Sequence, residues 1–281
     1  MNMSNSYPIG KVFNIPVRVH ITLLIFLPLL TVWFAPAKNL VGLTFGLLGA
    51  IALFGSIVLH EVGHSLVARA KGSRIREILL LPIGGMARLD QLPRRPADEI
   101  LTALAGPAVS FILGIIGLLA GPAVFRFNPM LGSLCYNIGA LNIMLALFNL
   151  IPSFPMDGGR IFRAALTPRM GRLAATQLAA KVGRGIAWIF GILAIKPLFS
   201  GGSPNFMLLA VAFFVHQAAG AEARMAEAEA AYMRQRANDS GMWKIPDTDV
   251  KVSPPPYAQT PPSPRKNPAR GFFDDLFKKW R

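Results

Sequence analysis

The chain has 281 residues, of which 53% are hydrophobic and only 15% charged, and its mean hydropathy is +0.45. That balance excludes an ordinary soluble domain and points to a polytopic membrane protein. The formal net charge of +15 does not imply a nucleic-acid partner, because the basic residues are scattered between apolar segments instead of gathered in one stripe; in a bilayer they set orientation.

From Met1 to Val17 there is no short apolar run ending in a small-residue cleavage site, so no removable signal peptide is expected and the first membrane span does the targeting. Six apolar segments follow: His20 to Ala35, Leu40 to Ala68, Ile100 to Phe125, Leu131 to Ile151, Gly185 to Phe199 and Phe206 to Gly220. The last two are short against the ~20 helical residues that a ~30 Å hydrocarbon core requires. The expected fold is therefore an all-α polytopic membrane protein of about six transmembrane helices. Lys38, Arg126 and Lys196 flank one set of loops, whereas Arg69, Lys71, Arg74, Arg76, Arg160, Arg163, Arg169 and Arg172, among others, flank the other set. The positive-inside rule makes the second side cytoplasmic, with both termini there, in a multi-pass protein of the cell (inner) membrane.

Between the second and third segments, Ser73 to Leu92 is too polar to cross a bilayer. Ile75 and Ile78-Leu79-Leu80-Leu81, interrupted by Pro82 and by Gly84-Gly85, predict a short β-hairpin at the cytoplasmic membrane face. Its exposed edge, with Gly84 and Gly85, is a candidate for receiving a peptide; an ordinary connecting hairpin is the alternative. After Gly220 the character changes. Residues 221–236 are rich in helix formers and charge and predict a helix leaving the membrane, and 237–270 form a Pro-rich disordered linker. The terminal 271–281 carries Phe273, Leu276, Phe277 and Trp280 on one helical face, as a membrane-surface helix or a disordered tail would. One cysteine, Cys135, leaves neither an intrachain disulfide nor a thiolate cluster.

The chemistry lies at His60-Glu61-Val62-Gly63-His64, which follows twenty residues, Leu40 to Leu59, without a charge. Shuffling this composition gives H-E-x-x-H only on the order of once in a thousand chains. Spacing of i and i+4 stacks His60 and His64 on one helical face, where both imidazoles reach one Zn²⁺, and Glu61 beside them is the carboxylate that takes a proton from water. A second acid lies at matching depth. Asp157, in Asn149-Leu150-Ile151-Pro152-Ser153-Phe154-Pro155-Met156-Asp157-Gly158-Gly159-Arg160, ends the fourth segment, where two prolines and two glycines let the helix unwind and aim a carboxylate inward. It is the third expected ligand of a single zinc ion, with the fourth position left for water. Asp98 and Glu99 are set aside as acids at the edge of a loop. Asn149 is a donor to a substrate carbonyl or a helix-packing residue, and Asn142 is structural. His20 and His216 are interfacial or packing histidines outside the metal shell.

H-E-V-G-H on a membrane span, Ala105-Gly106-Pro107 in the next, N-x-x-P-x-x-P-M-D-G-G-R in the fourth and L-P-I-G-G-M-A-R-L at Leu81 to Leu89 resemble the site-2 protease family of intramembrane zinc metalloproteases, in its prokaryotic six-span branch. The resemblance covers about Tyr7 to Gly220. It implies His60, His64 and Asp157 as metal ligands, Glu61 as the catalytic residue and Asn149 in substrate binding, with Ser110 standing where relatives carry Asn or Ser. The implied activity is hydrolysis of peptide bonds in or next to transmembrane segments of other proteins, near the cytoplasmic face. The sequence departs from many members in showing neither an inserted PDZ domain nor a C-terminal CBS pair, so substrate gating and nucleotide sensing of those kinds are not expected of it. A zinc-binding membrane transporter, or a non-catalytic scaffold that binds membrane proteins, are the rival expectations, and neither gives Glu61 a duty.

Overall fold

The protein is described by a computed structural model, which covers residues 6–37, 39–81, 84–89 and 95–242. Met1–Met233 form one compact unit and Arg234–Arg281 a second. The chain opens with strand β1 (Ser6–Val12) and strand β2 (Ile15–His20), joined by a two-residue turn in which Phe13 and Asn14 have φ of 50° and 65°. Positive φ at both positions is what a hairpin of this length demands, because that turn twists with the strands. The turn is tied down by Arg69, whose Nη1 donates to the Phe13 carbonyl at 3.0 Å.

Helix α1 (Ile21–Phe34) and helix α2 (Leu40–Ala70) follow, then strands β3 (Ile75–Leu81) and β4 (Gly84–Leu89). The hairpin expected from Ser73 to Leu92 is thus present, but it is half of a four-stranded sheet of order β1-β2-β3-β4. β2 and β3 run parallel, with Val17 opposite Ile78 and Val19 opposite Leu80, and α1 and α2 make the crossover between them. Period-two alternation turns Ile15, Val17 and Val19 of β2 to one face. There they pack with Leu23, Ile78 and Leu80 on Phe54, Val58 and Val62 of α2. On the other face Arg18 bonds Ser6 and lies 3.7 Å from Glu77.

Five more helices follow. Helix α3 (Pro96–Phe125) and helix α4 (Pro129–Asn149) form an antiparallel hairpin, capped where the Asn128 side chain accepts from Leu131 N at 3.0 Å. Helix α5 (Asp157–Met170) is a 14-residue helix that no apolar pattern had marked, and helix α6 (Arg172–Ile195) and helix α7 (Phe206–Met242) follow. Among the described residues, five helices are long and apolar enough to cross a membrane.

Two expectations about the spans change in detail. The short member is α1, whose 14 residues rise only ~21 Å, because the residues before Ile21 are taken up by the sheet. α6 and α7 are long, with 24 and 37 residues, since each helix continues past its apolar window into charged sequence. The helix expected over 221–236 is the continuation of α7. The segment from residue 243 onward, with the Pro-rich stretch and the terminal 271–281, lies outside the described residues, as do Pro82 and Ile83.

Candidate metal and catalytic centre

His60 and His64 sit in the C-terminal half of α2, on the face turned to α3. Their Nε2 atoms are 3.1 Å apart, and Asp157 Oδ2 lies 3.2 Å from the first and 3.1 Å from the second. The three residues are 4%, 7% and 8% exposed respectively. Asp157 reaches them because α4 ends at Asn149 and the chain runs without helical structure from Leu150 to Met156 before α5 begins on Asp157 itself.

The outer ring nitrogens fix how these groups face one another. His64 Nδ1 is 2.7 Å from the Thr102 backbone oxygen. A carbonyl only accepts, so Nδ1 carries the proton and a neutral His64 presents a lone pair at Nε2. His60 Nδ1 is 2.9 Å from Ser110 Oγ, a fully buried hydroxyl. When His60 likewise donates from Nδ1 to Ser110 Oγ, two lone pairs and a carboxylate oxygen converge in a buried interior with no donor among them. Three acceptors in mutual contact repel unless a cation stands between them, and this donor set, two imidazoles and one carboxylate oriented by outer hydrogen bonds, is that of a zinc site with an open position. Ligand atoms ~2.0 to 2.1 Å from a tetrahedral ion stand ~3.4 Å apart, close to the triangle observed.

The space in front of the nitrogens belongs to a glycine. A Cβ built on Gly106 of α3 would lie 2.2 Å from His64 Nε2 and 2.7 Å from His60 Nε2. Only an unsubstituted residue leaves that volume to an ion. A second close approach occurs at Glu61, which is half-buried. A Cβ on Gly85 of β4 would come within 2.5 Å of Glu61 Cγ and 3.3 Å of its Oε1, so the backbone of the sheet's edge strand passes directly over this carboxylate.

Of the residues singled out from the sequence, the structure brings together His60, His64 and Asp157, and sets Gly85 against Glu61. Gly84 is not in contact in the same way: a Cβ there, at φ 143°, meets nothing within 4 Å. Asn149 is the last residue of α4 and half-buried; among the described residues no hydrogen bond joins it to the three converging side chains. Asn142 lies apart, donating to Ser56 Oγ at 2.9 Å and to the Ile138 carbonyl. His20 caps α1 and His216 stands edge-on to Trp188. Sequence reasoning missed Thr102, which acts through a backbone atom and leaves no side-chain signal. It noted Ala105-Gly106-Pro107 and Ser110 only as motif positions; no spacing ties either to α2, so their contacts with the histidines had no signal in the chain.

Fold and site together define a membrane-embedded metallopeptidase. The family model described as peptidase family M50 matches residues 48–127 and 127–190. A zinc metalloprotease of Methanocaldococcus jannaschii is 40% identical over 256 residues, covering 89% of this chain and 71% of the relative. A Synechocystis protein named as a putative zinc metalloprotease is 35% identical over 242 residues, 80% of this chain and 62% of that one. The solved structure of a site-2 protease from Methanocaldococcus jannaschii superposes with a TM-score of 0.57 at 38% identity, covering 78% of this chain and 95% of the other. The chain belongs to peptidase family M50.

Proposed function

We propose that this protein is an intramembrane zinc endopeptidase that hydrolyses a peptide bond in or next to a transmembrane segment of another membrane protein. The observation that carries the reading is the convergence of His60 Nε2, His64 Nε2 and Asp157 Oδ2 within one buried triangle beside Glu61. Zinc, the metal named for the relatives, would be held by these three side chains, and when bound supplies Lewis acidity toward a peptide carbonyl and toward water. Glu61 takes the proton of the water that attacks the carbonyl carbon, and delivers it to the amide nitrogen as the C–N bond breaks. Ser110 and the Thr102 carbonyl hold the imidazoles in the orientation that presents Nε2 inward.

The sheet supports a docking place for the substrate strand at its β4 edge. Of its two edges, β1 carries Pro8, a register shift between Pro8 and Gly10, and Lys11, the devices by which an edge avoids pairing. β4 is the other edge, and Gly85 in it touches Glu61. A helical substrate hides its amides in its own hydrogen bonds, so it must unwind before attack; pairing along β4 at Gly84 and Gly85 would hold the unwound segment at the catalytic carboxylate. Asn149 is assigned to substrate binding on the resemblance of its motif. The distribution of basic loops puts the site near the cytoplasmic face of the cell's inner membrane, with both termini on that side. Residues 1–220 would be the protease domain, 221–236 a cytoplasmic extension, 237–270 a linker and 271–281 a surface-binding segment.

The test is Glu61→Gln. Cleavage of a transmembrane substrate should vanish while one zinc per chain stays bound, and full-length substrate should accumulate in membranes holding the variant. Cleavage that survives the substitution rejects Glu61 as the base and with it this mechanism.

A further inference from the structure

We propose that Glu99 and Arg163 are positioning residues: their buried ion pair sets the aim of Asp157 and His64 toward one another. This rests on the reading of His60, His64 and Asp157 as metal ligands. Arg163 Nε donates to Glu99 Oε1 at 3.0 Å, and its Nη2 donates to the same oxygen. The second carboxylate oxygen accepts from Arg172 Nη1 of α6 at 3.3 Å. Glu99 is 5% exposed and Arg163 6%. The neighbouring acid shows the contrast. Asp98 pairs with Lys71 at 2.9 Å through side chains 21% and 35% exposed, an ordinary surface contact, whereas the adjacent carboxylate is turned inward and fully engaged.

Each end of the pair leads to a ligand. Glu99 stands one turn before Thr102 on α3, and the Thr102 carbonyl is the acceptor that orients His64. Arg163 stands on α5, the helix that begins with Asp157, and its guanidinium lies 5.3 Å from the ring centre of Phe154. Phe154, 1% exposed, belongs to the stretch from Leu150 to Met156 that no helix holds and that delivers Asp157. One guanidinium therefore joins α3, α5 and the unwound segment. A buried ion pair is a poor way to gain stability, because desolvation offsets the attraction and an apolar pair of similar volume holds helices as well. What a fork on a carboxylate adds is direction. Across a junction where Pro152 and Pro155 have removed backbone donors, direction is what the Asp157 carboxylate lacks.

The experiment replaces both buried charges together, Glu99→Leu with Arg163→Met, so that the volume is kept and neither member of the pair is left unpaired, while Arg172, 40% exposed, is left to water; Arg163→Lys replaces the fork alone. Full-length protein in detergent is followed by thermal unfolding, by chelator competition for zinc, by the visible spectrum after Co²⁺ replacement, and by kcat and KM on a transmembrane substrate. The expected result for the double variant is a wild-type unfolding transition with an altered Co²⁺ spectrum. Zinc affinity and kcat should each fall about 10- to 100-fold, the usual effect of removing a group that orients a ligand, with KM unchanged. Arg163→Lys should fold and show the same changes to a smaller degree. Either variant folding with wild-type zinc retention, spectrum and kcat overturns the proposal. So does failure of both to fold, since the pair would then be an element of stability. The underlying reading fails separately, if Asp157→Ala leaves zinc affinity and the Co²⁺ spectrum untouched.

Discussion

Gly106→Ala is the smallest perturbation that tests the centre as built. The added methyl carbon would lie 2.2 Å from His64 Nε2, 2.5 Å from its Cε1 and 2.7 Å from His60 Nε2, whereas non-bonded carbon contacts begin near ~3.5 Å. The overlap of about 1 Å must be relieved somewhere, and the geometry closes the cheap routes. His64 cannot swing away without giving up the 2.7 Å bond to the Thr102 carbonyl, nor His60 without giving up Ser110 at 2.9 Å. Both anchors lie on α3, the helix that carries Gly106. Backing α3 off from α2 relieves the clash but moves those anchors with it. Overpacking of this size costs ~1 to 3 kcal/mol in stability, and displacing or misorienting two imidazoles costs at least the ~10- to 100-fold in metal affinity seen when an outer hydrogen bond is lost. The methyl also occupies the volume in front of both nitrogens, so substoichiometric zinc and loss of cleavage should accompany a modest fall in Tm. Zinc per chain is measured by emission spectroscopy on purified protein, its retention by titration with a chromogenic chelator, and activity on a transmembrane substrate. Gly55→Ala on α2 is the control: its Cβ meets nothing within 4 Å, so zinc and cleavage should be unchanged and stability should rise by up to ~1 kcal/mol from helix propensity. Full zinc occupancy with wild-type cleavage in Gly106→Ala would refute the geometry of the centre.

Ser110→Ala removes the oxygen 2.9 Å from His60 Nδ1; zinc affinity should fall about tenfold and the unfolding free energy by ~1 to 3 kcal/mol, because a buried ring nitrogen loses its partner. Gly85→Ala sets a methyl 2.5 Å from Glu61 Cγ and leaves the three ligands alone, so kcat should drop while zinc stoichiometry holds at one per chain.

The three converging side chains were legible because their signals are local or chemically loud. An i, i+4 histidine pair is a helical-face statement that needs no tertiary structure, and a carboxylate beside two prolines at the end of an apolar run has few reasons to exist. The sheet was half legible. β3 and β4 adjoin in sequence, but β2 pairs with β3 across about fifty residues of intervening helix, and a six-residue alternation such as Ile15-Pro16-Val17-Arg18-Val19-His20 gives no hint of a partner that far away. The same distance hid Glu99. Read along the chain it is one of two adjacent acids at a helix start; only the approach of α5 separates it from Asp98, and the prolines that deliver Asp157 also break the periodicity from which α5 could have been placed.

The depth of the site follows from α2 alone and explains why a sheet is there at all. His60 stands twenty residues beyond Leu40 on one continuous helix, ~30 Å along its axis at 1.5 Å per residue, which is the thickness of the hydrocarbon core. The histidines thus lie at the boundary of the apolar layer opposite to Leu40, with Arg69 and Lys71 beyond it. β2 and β3 pack on Phe54, Val58 and Val62 of the same helix, level with the histidines and below them. Extended backbone at that depth is tolerated only where its polar groups are paired or face a wet cavity. The two inner strands are paired on both sides. β1 is the guarded edge. β4, whose one neighbour among the described residues is β3, presents its other edge beside Glu61, where the mechanism requires water to enter. An edge left open in lipid would be a defect; under the proposed mechanism, water would satisfy it at rest and an unwound substrate strand during turnover, so that one gap in the packing would serve both reactants.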